Sequence, residues 1–334
     1  MNKLFLFVAL ILIAGAGCDA SEGGTAGTGG AGGGAGTAGT GGTGGMGGAG
    51  GTGGEIASCD TPAEILRCDG VVLNIAHRGG RREWPEHTLF AYEEALASGT
   101  DVLELDIHET SDGVIVVMHD AEIDRTTNGS GFIKDMTLDE LQTYDAGYWF
   151  TTDGDVTYPH RGTGLIVPTL EEVFEAFPDA PYVIELKTGE GTIIEDFVAM
   201  ARDYDKVEQM NGAAFDDDVL VALREEAPEM GTSFGEQEVL IFFVQSSKEG
   251  GPDPDYVPPA EFLQVPPTRG EIEVLHDQFV PVAHELGLKV HVWTINDEEE
   301  MRTLIEDFGV DGIMTDYPTL LTSVIEDTGT GFPE

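Results

Sequence analysis

The stretch LELDIHETSDGVIVVMHD, residues 103–120, contains the pattern that decides the fold. Its first half predicts a strand, and strand side chains alternate between two faces, so Glu104, Asp106 and His108 share one face. A Ser-Asp-Gly turn and a β-branched run at 114–118 follow, which predicts a further strand. Acidic side chains on an otherwise apolar strand indicate that this element carries a functional site as well as core residues.

Short apolar segments of this kind recur along the chain and alternate with segments of helical spacing. Predicted strands cover 71–76, 101–107, 114–118, 182–186, 263–265, 289–293 and 312–314, predicted helices cover 88–97, 192–201, 219–226, 272–286 and 298–307, and an apolar run covers 239–244. Buried strands that alternate with helices indicate a parallel α/β architecture. No nucleotide-binding fingerprint follows the first strand, so a (β/α)8 TIM barrel is favoured over a doubly wound sheet.

Two stretches do not follow the alternation, and a third has a weak pattern. Residues 120–168 form a long insertion after the third strand, with little regular pattern beyond a helix near 138–143. Residues 245–267 contain six prolines and predict a loop-rich segment. The stretch 209–213 has a poor strand pattern. Long loops on a barrel commonly shape the substrate pocket.

The charge balance excludes some classes of partner. The 334 residues include 16 Lys and Arg against 62 Asp and Glu, a formal net charge of -46. Binding to nucleic acid needs clustered basic residues, so we expect no nucleic-acid partner. The same balance argues against docking on anionic lipid through a basic patch.

The N-terminal region predicts export. Residues 1–18 have Lys3, an apolar run too short to span a bilayer, and then small residues, which is typical of a signal peptide. The end of this segment resembles a bacterial lipoprotein signal with Cys18 as the lipidated residue, although Gly15 stands where Leu is usual. Both a cell-envelope lipoprotein and ordinary secretion therefore remain open.

Two domains of very different composition follow the predicted signal peptide. Residues 19–54 form a Gly/Ala/Thr-rich segment, with 20 of the 46 glycines within 21–54, which predicts a flexible tether. Residues 55–334 contain the predicted barrel. Cys59 and Cys68 lie just before its first strand and predict a disulfide in an oxidising compartment, or two free thiols in a reducing one.

Polar residues at the ends of the predicted strands define the chemistry. They are His77 and Arg78, Glu104 and Asp106, His119, Glu185 and Lys187, and Asp316. Three inward carboxylates repel each other unless a cation lies between them, and oxygen ligands suit Ca²⁺ or Mg²⁺ better than zinc. Two histidines suit acid and base roles, and the Arg and Lys side chains suit a phosphate oxyanion. The set predicts metal-assisted cleavage of a phosphodiester.

These residues lie in seven motifs, which are HRGGRREWPEHT (77–88), LELDIHETSDGVIVVMHD (103–120), DRTTNGSG (124–131), PTLEE (168–172), IELK (184–187), VHVWTIND (290–297) and VDGIMTDYP (310–318). In this order they resemble the glycerophosphodiester phosphodiesterase family, whose barrel is shared with phospholipase-C-like phosphodiesterases. The resemblance spans about residues 71–323. The resemblance implies hydrolysis of a small-molecule glycerophosphodiester to sn-glycerol 3-phosphate and an alcohol.

The resemblance also implies a role for each matching residue. Glu104, Asp106 and Glu185 would bind one divalent cation, Ca²⁺ or Mg²⁺, His77 and His119 would be the acid–base pair, Arg78 and Lys187 would contact phosphate, and Trp293 would line the pocket for glycerol or the leaving group. The chain departs from the family pattern at His87, where Asn is usual at a helix start, and at Ala214-Phe215, where Ser-Phe is common.

Two alternatives remain beside this interpretation. One is the same chemistry on a lipid headgroup, of the lysophospholipase D type, which a membrane tether would suit. The other is a surface-tethered binding domain without catalysis, although a binding domain has no need of both histidines. The sequence leaves the oligomeric state open.

Overall fold

Eight parallel strands form a nearly closed barrel in the computed structural model, which describes residues 59, 61–189 and 191–332. The strands in chain order are β1 (Leu73–Ala76), β2 (Val102–Glu109), β3 (Ile115–Val117), β4 (Tyr182–Leu186), β5 (Met210–Ala213), β6 (Gly231–Thr232), β7 (Phe262–Val265), β8 (Thr268–Arg269), β9 (Ile272–Glu273), β10 (Lys289–Val292) and β11 (Gly312–Thr315). The order around the barrel is β6, β5, β4, β2, β1, β11, β10, β7, and a bridge between Ser233 and Phe262 joins its two ends. The predicted α/β TIM barrel is confirmed.

Helices cover the outside of the barrel. They are α1 (Pro62–Ile65), α2 (Leu89–Ala97), α3 (Leu138–Leu141), α4 (Leu170–Ala176), α5 (Ile193–Asp203), α6 (Asp217–Glu226), α7 (Glu236–Ser246), α8 (Phe279–Glu285), α9 (Glu298–Thr303) and α10 (Pro318–Thr328). Thr88 and Thr169 are the N-caps of α2 and α4. Each hydroxyl accepts a hydrogen bond from a backbone N–H in the first turn of its helix. In the described part of the chain, no helix has the length and apolar character needed to cross a membrane.

The N-terminal predictions concern residues that the structure does not describe. The predicted signal peptide (1–18), Cys18 and the tether (19–54) all lie outside the described residues. The described residues belong to the unit Gly54–Glu334.

The third strand differs from the prediction. The run 114–118 contains β3, which pairs antiparallel with β2 and lies outside the parallel barrel. The reason is the turn at Ser111-Asp112-Gly113, where Gly113 adopts φ 80°. A tight turn can join only antiparallel strands, whereas a parallel pair needs a long crossover. The insertion 120–168 therefore leaves from a hairpin at the edge of the barrel.

Three other segments correct the sequence interpretation. The stretch 209–213 contains strand β5, and the apolar run 239–244 lies within helix α7. The predicted helix 272–286 is shorter, because β9 pairs with β8 in a small hairpin and α8 begins only at Phe279. Pro281 lies in the first turn of α8, which is the part of a helix that tolerates proline, so the helix cannot start much earlier.

The segment before β1 closes the N-terminal end of the barrel. Cys59 and Cys68 form a disulfide, as predicted for an oxidising compartment. Leu66 and Cys68 pack in one cluster with inward residues of the barrel such as Ile75 and Phe262. Lys289, at the start of β10, donates to the Cys68 carbonyl at 2.8 Å. The closed end leaves the opposite, C-terminal end of the strands for the site.

One barrel histidine makes stability depend on pH. His291 is fully buried beside Phe262, and neither ring nitrogen has a hydrogen-bond partner among the described residues. Burial lowers its pKa from 6.5 to about 4. The unfolded chain therefore binds a proton before the folded protein does, and stability present above pH 6.5 is lost as pH falls toward 4.

We expect His291→Leu to remove this dependence. The loss of unfolding free energy between pH 7 and pH 4.5 should be smaller in the variant by about 2–3 kcal/mol. Urea denaturation of both proteins at both pH values measures these losses. The contributions of all other titrating groups cancel when the loss in the variant is subtracted from the loss in the wild type. Equal losses in the two proteins would contradict the prediction.

Candidate active site

The three predicted metal-binding carboxylates lie together inside the barrel, near the C-terminal ends of β2 and β4. Asp106 and Glu185 are partners in the β2–β4 register, and Glu104 lies two residues earlier on β2. All three side chains point inward, as the alternation in the sequence predicted. Glu104 and Asp106 are almost completely buried.

Lys187 lies between two of these carboxylates. Its ammonium nitrogen is 2.7 Å from Asp106 Oδ1 and 2.9 Å from Glu185 Oε1. Burial and the charge of Asp106 raise the pKa of Glu185 to about 7. Burial would lower the pKa of Lys187, but the two carboxylates outweigh it and raise that pKa above its usual value. The site therefore holds more negative charge than its cations neutralise.

The same carboxylates are the residues that could hold a divalent cation. Within residues 59, 61–189 and 191–332, no three His, Cys, Asp or Glu side chains are arranged as a ready metal site. Glu104 instead accepts the Arg78 backbone N–H at 2.6 Å, and Lys187 contacts the other two. The donor set is nevertheless all oxygen, and Lys187 already places a cation between two of its members. Its chemistry fits a hard cation.

His77 follows β1 and is held by a carboxylate. Its Nδ1 is 2.6 Å from Asp316 Oδ1, and its Nε2 is 3.2 Å from the Arg78 Nε–H donor. Because Nε2 accepts, Nδ1 carries the proton and donates to Asp316. Burial lowers the pKa of His77, and the bond to Asp316 only partly opposes this. The ring is therefore neutral at pH 7, with the basic lone pair on Nε2.

Asp316 is the carboxylate that holds His77, a contact that the sequence did not predict. It lies one residue after β11, is fully buried, and also accepts bonds from Arg81 Nε at 2.8 Å and Asn296 Nδ2 at 2.9 Å. Burial opposes its ionisation, but His77 and Arg81 hold its pKa well below the usual range. The available signal was its position directly after the last strand.

The second histidine, His119, lies in the loop after β3. Its Nδ1 is 2.7 Å from Asp120 Oδ1, and its carbonyl accepts a 3.2 Å bond from His108 Nε2. Asp120 in turn accepts from Arg125 Nε at 2.5 Å. His108 thus supports the main chain at His119, which explains its position on the carboxylate face of β2.

His87, the first departure from the family pattern, is a buried partner of the site. Its ring lies 2.8 Å from Asp106 Oδ2 and 2.7 Å from the Tyr92 hydroxyl. Burial lowers the pKa of His87 to about 4, so the neutral ring donates to Asp106 and accepts from Tyr92. Thr88 caps the following helix, so the histidine has no capping role.

Two aromatic residues mark the other side of the site. Trp293 directly follows β10 and meets Phe215 edge-to-face, with 5.7 Å between ring centroids. Phe215 also lines a cavity of about 500 Å³ together with Glu185 and Lys187. The second departure, Ala214-Phe215, therefore still supplies an aromatic wall.

Comparison with known proteins shows the family of this chain. The model of the glycerophosphoryl diester phosphodiesterase family matches residues 77–320. The chain belongs to that family. A glycerophosphodiester phosphodiesterase of Bacillus subtilis is 33% identical over 273 residues, which cover 76% of this chain and 86% of the relative. A lysophospholipase D of Rattus norvegicus is 29% identical over 278 residues, 74% of this chain and 84% of the relative.

Solved structures of the family have the same barrel. A glycerophosphodiester phosphodiesterase from Agrobacterium tumefaciens aligns with a TM-score of 0.60 and 28% identity, over 75% of this chain and 99% of the other. An Oleispira antarctica phosphodiesterase in complex with the product sn-glycerol-3-phosphate aligns with a TM-score of 0.60 and 26% identity, over 77% and 97%. The predicted family, and with it an enzyme of the phosphodiesterase class, is confirmed.

Proposed function

We propose that the protein hydrolyses glycerophosphodiesters to sn-glycerol 3-phosphate and an alcohol by acid–base catalysis with His77 and His119. The observation that carries the proposal is the His77–Asp316 pair, which leaves a neutral imidazole with a basic nitrogen at the C-terminal end of the barrel. The family's relatives, one of them solved with sn-glycerol-3-phosphate, support the substrate class.

His77 is the base in this mechanism. When Arg78 turns its Nε–H from His77 Nε2 to the phosphate, that nitrogen can take the proton of the attacking hydroxyl, either of water or of the glycerol 2-position. Asp316 stabilises the imidazolium that forms. The buried carboxylate also fixes the tautomer, because Nδ1–H is committed to Asp316.

His119 is the acid. Its Nδ1 is committed to Asp120, so Nε2 is the atom that gives a proton to the departing alcohol oxygen. Protonation of the leaving oxygen prevents an alkoxide from forming. This matters most when the pKa of the departing alcohol is high, because its alkoxide is then a poor leaving group.

Arg78 and Lys187 supply positive charge to the phosphate, and both lie against the buried carboxylates. Glu104, Asp106 and Glu185 are the residues that would hold the Ca²⁺ or Mg²⁺ ion. When bound, the ion would polarise the phosphoryl oxygens as a Lewis acid. Lys187, which lies against Asp106, would then supply its ammonium to a phosphate oxygen.

A substrate comparison separates the two catalytic alternatives. Glycerophosphocholine and lysophosphatidylcholine should be supplied in parallel, with choline and glycerol 3-phosphate measured as products. We expect the glycerophosphodiester to be turned over faster. The lysophospholipase D of Rattus norvegicus favours the second candidate, and faster choline release from lysophosphatidylcholine would support it instead.

Export is part of the proposal and has a separate test. The pattern of residues 1–18 supports a signal peptide, and Cys18 is the candidate lipidation site. Incorporation of labelled palmitate by the wild-type chain, but not by Cys18→Ser, would support a lipoprotein. Unlabelled protein in the medium would support secretion, and uncleaved protein inside the cells would contradict export.

A further inference from the structure

Arg125, in the insertion after β3, connects the part of the site around His119 to the part around His77. Its Nε donates to Asp120 Oδ2 at 2.5 Å, and its Nη1 and Nη2 donate to the two oxygens of Glu86, both at 2.7 Å. Glu86 also accepts from Arg78 Nη1 at 3.2 Å. Arg125 lies 39 residues from Glu86 in the sequence, so no local pattern predicts this contact.

The bridge completes a continuous polar chain between the two histidines. Asp316 holds His77, His77 accepts from Arg78, Arg78 and Arg125 share Glu86, and Arg125 holds the Asp120 that binds His119. In this network, Asp316 and Asp120 each contact one histidine and one arginine. Glu86 contacts two arginines.

The geometry needs a guanidinium in particular. Arg125 Nε donates to Asp120, while the two Nη atoms donate to the two oxygens of Glu86. The single side-chain nitrogen of a lysine cannot make both contacts in this geometry. The charges are also strongly coupled. Burial opposes ionisation of Asp120, but His119 and Arg125 lower its pKa to about 2, and Arg125 likewise holds the pKa of Glu86 below its usual range.

An ordinary surface ion pair would contribute little to activity or stability. Arg125 is partly exposed, with 42% of its side chain accessible, but Glu86 is only 10% exposed. A bidentate pair with a nearly buried partner keeps its geometry far better than two mobile side chains in water. The arrangement thus fixes Asp120, and through it the ring of His119.

We propose that Arg125 is a positioning residue that holds Asp120 against Glu86, so that His119 is oriented to protonate the leaving group. The proposal rests on the acid role of His119 in the proposed function. Arg125 therefore supports only the step in which the leaving group is protonated. Glu86 contributes to that step because it holds the guanidinium of Arg125 in place.

The test compares two leaving groups in one enzyme preparation. Glycerophosphocholine releases a basic alcohol that needs protonation, whereas the p-nitrophenyl ester of glycerol 3-phosphate releases a phenolate that does not. We expect Arg125→Gln to lower kcat about 10- to 100-fold on the choline ester and less than about 3-fold on the nitrophenyl ester. The ratio of the two rates is independent of how much of the variant is folded.

Two further variants sharpen the result. Arg125→Lys keeps the charge but not the bridge, so it should resemble Arg125→Gln. Arg202→Gln is the matched control, because Arg202 is 43% exposed and pairs with Glu226, at the C-terminal end of α6, and with Glu229 in the turn that follows. It should change neither rate.

The outcomes separate this inference from the proposed function. If His119→Ala discriminates between the esters and Arg125→Gln does not, the role of Arg125 is overturned. If His119→Ala slows both esters equally, the acid assignment of His119 is wrong. Equal losses on both esters in Arg125→Gln and Arg125→Lys would indicate a structural role only and would also overturn the inference.

Discussion

Replacement of His77 by glutamine is expected to lower kcat for glycerophosphocholine hydrolysis by about 10²–10⁴-fold. Glutamine can keep a hydrogen bond to Asp316 but cannot accept a proton at neutral pH. The barrier therefore rises by the whole contribution of the base, while substrate binding through Arg78 and Lys187 changes little. Steady-state kinetics should show the loss in kcat with KM nearly constant.

The matched control is His284→Gln. His284 also pairs with an aspartate, with Nε2 at 2.8 Å from Asp311 Oδ2, but Asp311 directly precedes β11 and so lies at the closed end of the barrel. That variant should retain wild-type kcat. A folded His77→Gln protein with wild-type turnover would remove His77 from the mechanism.

The second large effect is expected for Asp106→Asn. Asp106 is the residue shared by Lys187, His87 and the expected cation, and the charge of Lys187 holds its pKa far below the usual value even though burial opposes this. Asparagine keeps the shape but removes the charge. We expect kcat to fall by about 10²–10³-fold, because the electrostatic support of the phosphate is lost.

Calorimetric titration with Ca²⁺ gives a readout independent of turnover. Binding should weaken by about 100-fold or more in Asp106→Asn, since loss of even a supporting residue costs 10- to 100-fold. Asp101→Asn is the control, because Asp101 directly precedes the same strand at its other end and accepts the Asn74 N–H. Unchanged Ca²⁺ affinity in Asp106→Asn would place the cation elsewhere.

Much of the site was predictable because strand periodicity is a local property. Glu104 and Asp106 are two residues apart, so any strand there must place them on one face, and the same holds for Glu185 and Lys187. A buried strand with two acidic residues is rare enough to mark a site. The predicted acid–base, phosphate and cation residues all follow from that local pattern and from the motifs.

The contacts between distant segments could not be predicted in this way. Nothing local to Arg125 identifies Glu86 as its partner, and only the fold brings the insertion next to the loop before α2. The Asp316–His77 pair joins the last strand to the first and depends on the barrel closing. The antiparallel β3, by contrast, was predictable from the length of its turn.

Metal-dependent hydrolysis is tested most directly by measuring release of glycerol 3-phosphate from glycerophosphocholine by the purified protein. It should be made after exhaustive chelation and again after Ca²⁺ or Mg²⁺ is added back. Metal-dependent hydrolysis predicts no release from the chelated protein and restored release with one or both ions. Absence of release from folded protein with either ion, or full release in the presence of chelator, would contradict it.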